Sequence, residues 1–153
     1  MGYTAKQILK ILKANGWRNQ MTYNCTIEKQ EDGIYVAQFP DMTIVLTCGY
    51  SHDEALKMAE EALNGVLAVD LDHGHPIAEP KYTGGYPIEV SPKVAFAIEL
   101  RKARANHTQK EVAEKAGMSY QQYQRLENPH KTNPTLETLY KLQKVFNRPF
   151  LAL

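Results

Sequence analysis

Between Thr108 and Glu127 the chain reads Thr-Gln-Lys-Glu-Val-Ala-Glu-Lys-Ala-Gly-Met-Ser-Tyr-Gln-Gln-Tyr-Gln-Arg-Leu-Glu, and two helices can be traced in it. Thr108 followed at the third position by Glu111 is a capping box: the hydroxyl accepts from a first-turn N–H while the acid reaches back. Val112, Ala113 and Ala116 then supply an apolar stripe, and Gly117 a stop. Ser119 with Gln122 repeats the box, and Tyr123 and Leu126 give the second helix its buried side. Two short helices joined by a glycine-containing turn, each with its own cap, form the helix-turn-helix pattern.

The flanks extend it. Ser91-Pro92 reads as an N-cap with proline in the first turn, opening a helix through Val94, Ala97, Ile98 and Arg101 to about Ala105. Asn128 to Pro134 reads as a loop, and Thr135 caps a further helix carrying Leu136, Leu139, Leu142 and Val145. In such units the second helix enters the major groove with its N-terminal residues at base edges. Tyr120, Gln121, Gln122 and Gln124 are therefore the expected base-reading residues, glutamine matching the N6/N7 edge of adenine. Gln109, Lys110, Arg125, Lys131 and Asn133 are expected at the DNA backbone, where they set position rather than sequence preference. Three capped helices alone would equally suit a plain helical bundle, so charge has to weigh in.

The chain has 153 residues and a net charge of +1, but the charge is unevenly distributed. Residues 1–20 carry four bases and no acid; residues 21–91 carry three bases against twelve acids; residues 92–153 carry eleven bases against five acids. The basic C-terminal third fits a phosphate backbone, and the acidic middle fits a basic protein partner.

Residues 4–16 read as a short amphipathic helix, with Ile8, Leu9, Ile11 and Leu12 apolar, Lys6, Lys10 and Lys13 opposite, and Asn15-Gly16 as a stop. From Thr22 to Lys29 and from Ile34 to Phe39 β-formers dominate around the turn residues Glu31-Asp32-Gly33, which predicts a hairpin. Pro40-Asp41 breaks it, and Thr43 to Cys48 makes a third strand. Ser51 and Glu54 form another capping box, starting a helix to about Val69; Asp70 to Gly85 reads as an irregular loop and Tyr86 to Val90 as a last strand before a linker. The fold class is α+β: a β-β-β-α-β domain over 21–90, then an all-α helix-turn-helix domain over 91–153.

Cys25 and Cys48 lie too far apart in sequence for a paired-cysteine zinc site and are expected as reduced, semi-buried small hydrophobes. His73-Gly74-His75 beside Asp70 and Asp72 is weak as a metal signal, and no metal, cofactor or catalytic residue is assigned. Carboxylates converging on metal ions would mark a nuclease, yet Asp53, Glu54, Glu60 and Glu61 share one helix and Asp41 has no strand-borne partner. With no apolar run of membrane-spanning length and no signal-like start, a cytoplasmic location is expected.

Two resemblances sharpen this. Thr108 to Ser119 with Tyr123-Gln124-Arg125-Leu126-Glu127, then Asn133 to Leu142, resembles the lambda-repressor/Cro-like helix-turn-helix family. Tyr35 to Asp41, Thr47-Cys48-Gly49 and Asp53 to Leu56 resemble the HicB antitoxin domain, an incomplete RNase H-like fold. The chain departs from that pattern at Thr43 to Leu46, where a glycine is usual, and at Tyr50, where an acid is usual. The resemblance implies an antitoxin that binds a small basic HicA-type mRNA-cleaving toxin and represses their shared operon through double-stranded operator DNA. It also implies at least a homodimer, since operators are read by symmetric pairs. A stand-alone repressor whose N-terminal domain oligomerises or senses a ligand is the other reading. Residues 1–20 resemble the opening helix of a HicA toxin without its Gly-Ser-His stretch, and fit a toxin remnant or an unrelated packing helix equally.

Overall fold

The computed structural model describes residues 21–148 and Phe150; the helix expected over residues 4–16 lies outside these described residues. Strands β1 (Thr22–Lys29), β2 (Tyr35–Phe39) and β3 (Met42–Gly49) precede a long helix α1 (His52–His73), and β4 (Tyr86–Glu89) closes the first unit. The sheet order is β3-β2-β1-β4 with every pair antiparallel. The β-β-β-α-β order and the α+β class therefore hold.

Strand alternation explains the packing. Tyr23 and Cys25 on β1, and Ala37 and Phe39 on β2, point to one side and are fully buried. Ala59, Leu63 and Leu67 on α1 recur at helical spacing and cover that side. Each such large side chain taken out of water contributes about 1.5–3 kcal/mol. Cys48 falls on the other side of the sheet and is exposed, while Cys25 is buried. The shared expectation of semi-burial for the two cysteines is corrected in opposite directions, because they fall on opposite faces.

Helix α1 runs past Val69 to His73, so the stretch read as a loop from Asp70 begins as helix. Gly74 ends it in the left-handed region, at φ 69°, with its N–H returned to the Asp70 and Leu71 carbonyls. At the other end Ser51 accepts from the Glu54 N–H, while the Glu54 carboxylate accepts from Tyr50 N–H, one residue earlier than a capping box predicts. Asp41 fixes the segment after α1: one carboxylate oxygen accepts from the backbone N–H groups of Lys81 (2.8 Å) and Tyr82 (2.9 Å).

The helical part comprises α2 (Pro92–Arg104), α3 (Gln109–Lys115), α4 (Tyr120–Leu126) and α5 (Leu136–Phe146). Ser91 occupies the N-cap of α2 in extended conformation, but its hydroxyl makes no capping bond; Pro92 supplies the start instead. The Ser91 N–H donates to the Asn64 side chain on α1 at 2.7 Å. Helix α2 belongs to both cores. Val94 and Ile98 pack into the sheet core, while Leu100 and Phe96 pack with Val112, Tyr123, Leu126 and Leu142. Among the described residues no helix is long and apolar enough to cross a membrane, and no three metal-ligating side chains cluster.

Candidate nucleic-acid interface

Both capping boxes of the helix-turn-helix close in full. Thr108 Oγ1 accepts from Glu111 N–H (3.1 Å) and Glu111 Oε2 from Thr108 N–H (2.8 Å). Those bonds, the Thr108 backbone N–H foremost, hold the Glu111 carboxyl below its ordinary pKa. Ser119 Oγ accepts from Gln122 N–H (3.2 Å) and Gln122 Oε1 from Ser119 N–H (2.9 Å). Between the helices Gly117 sits at φ 65°, and Met118 N–H bonds the Ala113 carbonyl at 3.0 Å. A side chain in that left-handed conformation would cost about 1–2 kcal/mol, which is why glycine stands at the turn.

The angle between α3 and α4 is held by a polar knot around Glu127. Arg104 on α2 donates Nε to Glu127 Oε1 (2.6 Å) and Nη2 to Oε2 (3.1 Å). Gln109 Nε2 on α3 donates to Oε2 at 2.8 Å, and the Tyr123 hydroxyl to Oε1 at 2.8 Å. Glu127 is 9% exposed, so this carboxylate replaces lost water with four directed donors. Its hydrogen bond to Arg104 raises the guanidinium pKa further, while burial, together with the neighbouring carboxylate, pushes the Tyr123 phenol well above its ordinary value. Gln109 is thereby half-buried, its amide nitrogen held by Glu127 while the residue still lines the groove beside α4.

The outer side of α4 is bare. Tyr120, Gln121, Gln124 and Arg125 are exposed. Gln121, Gln124, Arg125 and Asn128 fall at i, i+3, i+4 and i+7 and line a single groove of about 520 Å³ with Gln109 and Lys131. Five residues expected at DNA are thus brought together: Gln109, Gln121, Gln124, Arg125 and Lys131. Tyr120, Gln122, Lys110 and Asn133 do not line the groove, and the Gln122 carbonyl oxygen is engaged in the cap.

The opposite wall of the groove is the end of α1, through Leu71 and Asp72, with Arg101. Asp72 Oδ2 meets His130 Nε2 at 3.0 Å, and Arg101 reaches the Gly74 carbonyl at 3.0 Å, a cation placed at a helix C-terminus. Sequence reasoning missed Arg104, Glu127, Asp72 and His130. Glu127 had a signal, an acid one turn after Tyr123 on a buried stripe; Asp72 had none, because the loop-like composition from Asp70 onward takes it off the helix.

A helix-turn-helix with a bare polar second helix, carried behind a β-β-β-α-β domain, defines a two-part DNA-binding regulator. Residues 98–153 match the helix-turn-helix family, and residues 22–95 match the HicB-like antitoxin of bacterial toxin–antitoxin systems. Antitoxin HicB 1 of Photorhabdus laumondii subsp. laumondii is 32% identical over 108 residues, which cover 69% of this chain and 70% of that protein. The chain belongs to the HicB antitoxin family.

Proposed function

We propose that this protein neutralises a HicA-type RNA-cleaving toxin through its acidic sheet domain and represses its own operon by reading operator DNA with α4. The observation that carries the reading is the groove on α4. Gln121 and Gln124 present amide groups suited to base edges, Arg125 and Lys131 stand beside them as phosphate partners, and the Glu127 knot fixes the helix from behind. Gln109, Lys110 and Asn133 complete the expected backbone contacts, and Tyr120 with Gln122 the base-reading set. Two chains bind as a symmetric pair in the cytoplasm, where operator and messenger RNA both occur.

The role is regulatory rather than catalytic. Asp41, the carboxylate a nuclease reading would need, spends one oxygen on the backbone N–H groups of Lys81 and Tyr82.

A gel shift on the protein's own upstream DNA tests the reading, wild type beside Gln121→Ala/Gln124→Ala at two salt concentrations. Sequence-selective binding should drop by about tenfold or more, since a good bidentate base contact is worth about 1–3 kcal/mol. Binding indifferent to sequence and mutation would leave only a basic surface. Co-purification with a toxin encoded beside it tests the other half.

A further inference from the structure

A second groove, of about 500 Å³, lies on the sheet domain, far in sequence from the reading helix. One wall is α1 at Gly65, Val66 and Val69; the other is the start of β3 at Met42 and Ile44. Ile44 is 85% exposed and Val69 50%, an unusual display for large apolar side chains. Gly65 adds an independent oddity. It stands in the interior of a 22-residue helix, where glycine is disfavoured relative to alanine. Open space surrounds the position a Cβ would take. No packing among the described residues requires a glycine there; a backbone approaching from outside would.

We propose that this groove holds the chain's own residues 4–16. Three observations select that occupant. The segment has the matching shape in sequence: Ala5, Ile8, Leu9 and Leu12 fall at i, i+3, i+4 and i+7, the stripe by which an amphipathic helix lies in an apolar groove. Its charge is complementary, since residues 1–20 carry four bases and no acid, while Asp41 and Asp70 line the groove and exposed Glu61 stands one helical turn before Gly65. The connection is short. Strand β1 runs antiparallel to β2 with Thr26 opposite Gln38, so Met21 enters the sheet at the end where the β2–β3 turn borders the groove. The Tyr23 hydroxyl, near that entry, donates to the carbonyl of Ala78, itself a groove residue. Residues 17–20 can span about 14 Å when extended. The proposal stands independently of the toxin and operator readings.

Hydrogen exchange on the full-length protein, read by mass spectrometry at two protein concentrations, tests it. Amides of residues 5–12 should be protected in the wild type, equally at both concentrations. Val69→Glu should abolish that protection and leave the sheet and α2–α5 amides unchanged, while Leu46→Glu, an exposed apolar site off the groove, should change nothing. If Val69→Glu fails to fold, Gly65→Gln fills the same notch with a better helix former and should release the segment alone. Unprotected amides in the wild type would overturn the proposal, as would protection that survives both groove variants. Protection that grows with concentration would also overturn it, because the occupant would then be a second copy.

Discussion

Glu127 is nine-tenths buried yet ionisable, and it is tolerated because Arg104, Gln109 and Tyr123 all donate to it. Glu127→Ala should destabilise the protein by about 3 kcal/mol, the lower figure for breaking a buried pair because Arg104 keeps some solvent contact. Thermal unfolding would register this as a fall of about 9 °C, and Glu127→Gln, which keeps acceptor and shape, should lose less. Tyr23 and Tyr123 make a second test. Burial pushes the Tyr23 phenol up to about 12 and raises that of Tyr123 as well, from an ordinary 10.0. The folded state thus favours the protonated phenols. Their contribution is intact below pH 10 and is lost as pH climbs through the folded values. Urea unfolding across pH 9 to 12 should show the share of stability owed to these tyrosines falling above about pH 10, with both silent in a 295 nm titration at pH 10 to 11 while the chain stays folded. Glu127 was visible in the sequence as the end of a family pattern. Its role was not, because its three donors sit on three different helices and only packing assembles them.

At the scale of elements, what is local was legible. The capping boxes at Thr108 and Ser119 close as the side-chain spacing demands, since cap and partner are three residues apart and need nothing else. The end of α1 was not legible. Asp70 to His75 carries the turn-like composition of a loop, and helix persists to His73 because Leu71 still finds the core and Gly74 can turn the chain left-handed. That extra turn carries Asp72 to the groove facing Gln121 and Gln124. If DNA occupies that groove as proposed, this carboxylate opposes its phosphate backbone. Asp72→Asn, which preserves the contact with His130, should therefore tighten DNA binding by about twofold to threefold, the effect of roughly 0.5 kcal/mol between solvated charges. Titration of labelled DNA at fixed salt would measure it; weaker binding would mean Asp72 acts as a strut for the reading helix.

For the molecule as a whole, the sequence divides near Ser91, where an acidic region gives way to a basic one. Packing does not respect that line. Helix α2 begins in one core with Val94 and Ile98 and finishes in the other with Leu100. Residue chemistry marks the boundary of charge, whereas α2 marks a continuity that only the folded helix reveals. Calorimetry should accordingly record one cooperative transition; two well-separated transitions would mean that the cores melt independently despite the helix between them.

Sharing α2 also limits how such a chain can be rebuilt. Modules tethered by a loose connector can be exchanged by cutting anywhere within it. Here a cut at residue 91 strips Val94 and Ile98 from the sheet, and a cut at residue 98 strips Phe96 from the helical bundle. A functional chimera must bring its junction helix with it, matched on both flanks. Lineages that inherit this architecture would then exchange their helix-turn-helix parts rarely, and diverge by point changes within them instead.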